Sequence, residues 1–183
     1  LKGMKAKRQL AAFVALAVGG AFAGMPAAQA AEPTVTGTND TRLTGAGTAL
    51  SPYQGISGSA LTNGSVTGNT LTITADSAGN IPVVVGDISA GGTAATTDTV
   101  KGNTLVLNSV RLTRNAYGGI GANDVYSDKT GNKVQLAGSG AHVDGSVRGS
   151  YSTGGGASLG KVEMSAGTVS GTVIGGYGKT SGI

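Results

Sequence analysis

Val143-Asp144-Gly145-Ser146-Val147-Arg148-Gly149-Ser150-Tyr151 returns 26 residues later as Val169-Ser170-Gly171-Thr172-Val173-Ile174-Gly175-Gly176-Tyr177. Both stretches read V-x-G-[ST]-V-x-G-x-Y. Working outward, a second pattern, N-x-[LV]-x-[IL], recurs as Asn69-Thr70-Leu71-Thr72-Ile73, Asn103-Thr104-Leu105-Val106-Leu107 and Asn132-Lys133-Val134-Gln135-Leu136. Gly160-Lys161-Val162-Glu163-Met164 is a degenerate fourth copy with Gly in the Asn slot. Self-similarity at a period of about 20–50 residues marks stacked supersecondary units, each of which buries its apolar face on its neighbours. Within each copy the apolar positions alternate, which is the period of a strand. The chain is therefore predicted to be all-β, a β-solenoid. Val147 and Val173 are expected at equivalent inward positions of neighbouring rungs, with Arg148 on the opposite face.

Glycine supplies the corners between strands, because it reaches bent or positive-φ conformations without steric cost. The motif G-[ST]-V-x-G occurs at 64–68, 145–149 and 171–175, and its Val is expected to fill the rung interior. Asn69, Asn103 and Asn132 are candidates for a corner ladder, since Asn tolerates left-handed backbone and like residues in stacked rungs can satisfy one another. The remaining strand-like runs are Ile81 to Ile88, Thr104 to Leu112, Ala141 to Val147 and Thr168 to Ile174. Pro82 confines the first of these to a strand start or bulge. Ala90 to Thr99, with Gly91-Gly92, reads as a loop, and Gly58-Ser59 and Gly138-Ser139-Gly140 read as turns.

The N-terminus reads as a targeting segment. Lys5, Lys7 and Arg8 precede an apolar run from Leu10 to Val18, and Ala28-Gln29-Ala30 has the small residues that signal peptidase requires. The uninterrupted apolar run falls short of the ~20 residues a spanning helix needs. Residues 1–30 are thus expected to be a signal peptide, with Leu1-Lys2-Gly3 upstream of the true start and a mature chain beginning at Ala31. Residues 31–60 read as an N-terminal leader or cap, and 61–183 as solenoid repeats that end incomplete, without a polar terminal rung.

The formal net charge of +4 belongs to that targeting segment. Lys2, Lys5, Lys7 and Arg8 account for four of thirteen basic residues, and 1–30 contain no acid, which leaves nine basic against nine acidic side chains. These are scattered singly, so the electrostatic footprint of a nucleic-acid binder is missing. There are 34 glycines and no cysteines. A solenoid needs no disulfides, unlike a small secreted domain with one core.

No catalytic, cofactor-binding or metal residue is assigned. His142 is the single histidine; without cysteine it cannot supply the three or four ligands zinc takes, so it reads as a surface residue on a strand. Gly118 to Tyr126 resembles the calcium nonapeptide G-G-x-G-x-D-x-U-x, but Asn123 stands at the Asp position and the copy is single, so it reads as a turn after Tyr117-Gly118-Gly119 leading into a loop. A carbohydrate-cleaving site would need clustered carboxylates. Asp76, Asp87, Asp98, Asp124, Asp128, Asp144 and Glu163 are dispersed, and Asp124 and Asp128, the closest pair, fall in a predicted loop.

The alternation of N-x-V-x-[IL] with V-x-G-x-V-x-G-x-Y, the Tyr117-Gly118-Gly119 and Gly175-Gly176-Tyr177 signatures, and the preceding signal peptide resemble the passenger region of bacterial autotransporters. The resemblance covers about residues 61–183. It implies a right-handed parallel β-helix, exported through the Sec pathway of a diderm bacterium and displayed at the cell surface, with outer-membrane attachment only through a C-terminal barrel missing here. The function it implies is that of a non-enzymatic, adhesin-like interaction protein meeting host or bacterial surface glycans or proteins, with no nucleic-acid partner and no cofactor. The alternatives are a secreted polysaccharide-processing enzyme on the same scaffold and a purely structural spacer.

Overall fold

The computed structural model describes residues 34–36, 45, 47–48, 52–54, 66–93, 100–121, 131–154 and 159–178. The predicted signal peptide and its cleavage site lie outside these residues, as do Asp98, Asp124, Asp128 and most of the calcium-like motif. In chain order the strands are β1 (Thr34–Thr36), β2 (Tyr53–Gln54), β3 (Val66–Thr67), β4 (Thr70–Ile73), β5 (Val83–Val85), β6 (Ile88–Thr93) and β7 (Val100–Lys101). They continue as β8 (Thr104–Leu112), β9 (Ala116–Gly121), β10 (Lys133–Val143), β11 (Val147–Ser152), β12 (Lys161–Met164), β13 (Thr168–Val169) and β14 (Val173–Gly178). There is no helix among the described residues.

These strands wind into a parallel β-solenoid of about three turns. One sheet stacks β4, β8, β10 and β12 in parallel, and a second stacks β6, β9, β11 and β14. A short third strip pairs β3 with β7. At one end of the first sheet β1 pairs antiparallel with β4, and β2 pairs with β5.

The sequence repeats are the stacking columns. Leu71, Leu105, Val134 and Val162 are register partners in turn, as are Ile73, Leu107, Leu136 and Met164. The nine-residue repeat places Val143 beside Val169, Val147 beside Val173 and Tyr151 beside Tyr177. Inward positions form one continuous core in which Leu71, Ile73, Leu105, Leu107, Leu136 and Val147 are fully buried. The last turn has no rung beyond it among the described residues: Met164 and Val173 are each 45% exposed although their columns are inward.

Three expectations are corrected. First, Ala90 to Thr93 are strand, not loop, and the chain stays strand through Ile120-Gly121 instead of turning after Tyr117-Gly118-Gly119: β6 is buried throughout, and β9 nearly so. The glycines are there for close approach, since a Cβ on Gly118 would lie 2.5 Å from the Lys133 nitrogen, and on Gly149 2.2 Å from that of Lys161. Here the second sheet runs against the start of the first, and a side chain would separate them. Gly138 to Gly140 likewise lie within β10, at a register shift between Leu136 and Gly140.

Second, the stretch Ile81 to Ile88 is not one strand. It begins at Val83, after Pro82, and Gly86 with φ of 98° turns the chain from the first sheet into the second. Third, Val66 of the 64–68 motif does not belong to the Val147–Val173 column; it pairs with Val100 in the third strip. A five-residue glycine motif is too short to distinguish one corner of a rung from another.

Candidate functional site

The interior polar groups are engaged in structure. Asn69, Asn103 and Asn132 are buried and form the predicted ladder. The Asn69 N–H donates to Asn103 Oδ1 at 2.9 Å, and the Asn103 N–H and Nδ2 donate to Asn132 Oδ1 at 3.1 and 3.0 Å. Asn132 Nδ2 donates to the Val100 carbonyl and to Ser150 Oγ at 2.9 and 3.1 Å. The expected left-handed Asn is not observed. Gly68 and Gly102 take the positive φ, at 71° and 65°, and the Asn that follows turns inward. The ladder stops at Gly160, where a Cβ would sit 1.9 Å from the Gly175 carbonyl oxygen.

A second ladder occupies the corner ahead of the second sheet. The N–H groups of Asn115, Ser146 and Thr172 donate to Asp87 Oδ1, Asn115 Oδ1 and Ser146 Oγ at 3.1, 2.9 and 3.2 Å. Its polarity is reversed. Here each N–H reaches back to the preceding turn, whereas in the Asn ladder it reaches forward.

The outward face of the second sheet carries a ring column. Tyr117, Tyr151 and Tyr177 stack with centroids 5.1 and 5.6 Å apart and planes within 20° and 22° of each other. The Arg148 guanidinium carbon lies 5.8, 5.1 and 5.3 Å from the three ring centroids, within the ~6 Å reach of a cation–π contact. Burial, and then the Asp87 charge, push the Tyr117 hydroxyl up to about 12. Its rings face each other, so this column serves chiefly to hold adjacent rungs in register.

The outward face of the first sheet differs along its length. At one end Glu163 ties two turns together: Oε1 meets Lys161 Nζ at 2.6 Å, and Oε2 accepts from Gln135 Nε2 at 2.7 Å and faces Lys133 Nζ at 3.4 Å. The Lys161 and Gln135 bonds hold its carboxyl down at about 2. At the other end the outward column runs Val83, Arg111, His142, Thr168. With Ile81 and Gly140 the first three line an open cleft of about 400 Å³, within the ~300–1,000 Å³ of small-molecule sites.

His142 is on a strand and half-exposed, as the sequence predicts, and both ring nitrogens are engaged. Nε2 faces Asp144 Oδ1 at 2.7 Å, and Nδ1 contacts Thr168 Oγ1. Of the carboxylates weighed from sequence, Asp76 caps its own turn through Ala78 and Asn80, Asp87 holds the second ladder, and Asp144 and Glu163 have the partners just named. Among the described residues no three metal-ligating side chains cluster.

Sequence reasoning missed Arg111. Its signal was a shared spacing: Val83, Arg111, His142 and Thr168 are offset by the same intervals as Ile88, Ala116, Val147 and Val173. No family model matches the chain, and no curated protein or solved structure matches it either.

Proposed function

We propose that this protein is an exported, surface-displayed protein of the autotransporter-passenger type, an adhesin-like interaction protein that presents ligand-binding groups on the outer faces of a β-solenoid rod. The observation that carries this reading is the outward cleft beside Arg111, a site on a rod whose other charged groups, among the described residues, are largely engaged with other side chains. Stacked rungs support such a role, since each contacts only its neighbours and outward residues can vary without cost to the core. The near balance of charge in residues 31–183 fits neutral or mixed surfaces better than a polyanion backbone such as nucleic acid.

The test is expression of the whole chain in a diderm bacterium, followed by protease shaving and antibody labelling of intact cells. Labelled protein that begins at Ala31, on cells or in the medium, together with retention of coated beads on glycan or host-cell surfaces, is the expected result. Protein confined to the cytoplasm with Lys5 to Arg8 still attached refutes it.

A further inference from the structure

We propose that the cleft of Ile81, Val83, Arg111, Gly140 and His142 binds a carboxylated sugar ring, the kind of residue that repeats in acidic polysaccharides. The inference rests on the surface-binding reading above and specifies its ligand. Its first support is the state of Arg111. Arg114 faces Asp87 at 3.7 Å, Lys133 and Lys161 share Glu163, and Arg148 lies against three tyrosine rings. Arg111, exposed on its strand between Val83 and His142, makes no ion pair with an acid among the described residues. A planar guanidinium is suited to gripping a carboxylate through two parallel N–H donors.

The walls supply the rest. Ile81 is 47% exposed and stands beside Val83, an aliphatic surface with no core to cover. Gly140 keeps the floor open, because a Cβ there would come 2.8 Å from Ser109 Oγ and 3.5 Å from Ile81 Cδ1. On the far side of Arg111, His142 lines the cleft, and its bonds to Asp144 and Thr168, which do not line it themselves, fix its ring as a polar rim. A cation, an apolar wall and a polar rim match the three surfaces of a sugar acid: its carboxylate, its C–H face and its hydroxyls. A plain fatty carboxylate would leave the rim unused, and a neutral sugar would leave Arg111 unpaired.

The probes are methyl glucuronide, methyl glucoside, hexanoate, an oligoglucuronide and an acidic peptide, titrated calorimetrically against the full chain. Methyl glucuronide should bind, and methyl glucoside and hexanoate should bind about tenfold more weakly or not at all, as expected when a charge-assisted contact or the rim is lost. Arg111→Gln should weaken the glucuronide about tenfold or more, Gly140→Val should block the cleft, and Lys133→Gln, outside it, should change nothing. Arg111→Lys keeps the charge without the fork and should fall between, which preserves the test if Arg111→Gln folds poorly. Tighter binding of the oligoglucuronide with the same Arg111 dependence would assign the ligand to a polymer; equal affinity per ring would assign it to a single sugar acid.

Equal binding of glucoside, indifference to Arg111→Gln, or preference for hexanoate or the peptide would overturn the proposal. Display on cells without glucuronide binding would sink this inference alone. Glucuronide binding by a chain that is never exported would sink the surface reading and leave the cleft standing.

Discussion

Asn132 is the residue whose removal should damage the solenoid most for its size. Its side chain has two acceptor sites and two donors, and all four are filled: by Asn103 N–H, Asn103 Nδ2, the Val100 carbonyl and Ser150 Oγ. Asn132→Ala takes this partner from Asn103 N–H, Asn103 Nδ2 and the Val100 carbonyl in a closed interior, where an orphaned polar group costs about 1–3 kcal/mol. Water entering the vacated space relieves part of that, so we expect a net loss of about 3–5 kcal/mol. Against a total stability of about 5–15 kcal/mol this is a large fraction.

Asn132→Asp sharpens the test, because shape is retained. The aspartate keeps one acceptor for Asn103 but turns the other oxygen against the Val100 carbonyl, with a buried charge as well. It should cost at least as much as the alanine, and acid should lessen the damage by protonating it. Thr104→Ala, on the outward face of β8, should cost under about 0.5 kcal/mol. Urea melts give the energies, and amide exchange at Asn103 gives the locality, since its N–H loses its acceptor only in Asn132→Ala. If Asn132→Ala costs no more than Thr104→Ala, or Asn103 exchanges at its original rate, the ladder is not holding the rungs.

Val147 is fully buried, so Val147→Asp should cost several kcal/mol in a urea melt, whereas Val173→Asp, at a position 45% exposed, should cost about 1–2. Arg148→Asp should fall between, because Arg148 faces the opposite side as predicted but leaves a three-ring contact when removed; proteolysis confined to the last turns would show that the damage is local. Glu163 is held at about 2 against an ordinary 4.5, so its folded form is favoured above pH 4.5 and that advantage is lost as pH falls toward 2. Amide exchange in β12 should therefore rise across that window, and Glu163→Gln should flatten the response. Far-UV circular dichroism should show one strand-type minimum, and a helical spectrum from a monodisperse sample would refute the fold.

Much of this architecture is legible in the sequence because solenoid stacking writes its register as spacing. The intervals that separate Val143 from Val169 and Asn103 from Asn132 are the lengths of chain needed to complete a turn. Reading failed where stacking conserves a role rather than a residue. Asp87, Asn115 and Ser146 each offer an oxygen to the next turn's N–H, yet share no identity, so no repeat search finds them. It failed again at Gly91-Gly92 and just past Gly118-Gly119, because glycine signals a turn by default; at Gly118 a backbone nitrogen of the other sheet 2.5 Å from a would-be Cβ shows why a strand is built from glycine.

The two ladders also explain how the rod can carry a site on so plain a scaffold. In the Asn ladder each turn's N–H reaches forward to the following turn, and in the Asp87–Asn115–Ser146 ladder it reaches back. A slip of one turn along the axis therefore breaks bonds at both corners, and neither can re-form by shifting the same way. The corners consequently fix axial register together with the outward tyrosine column. That leaves positions such as Arg111 free of structural duty, whereas Glu163 and Arg148 add further ties between turns. On such a scaffold an outward cation with no ion-pair partner among the described residues is the place to look for recognition, and here it opens onto the cleft floored by Gly140.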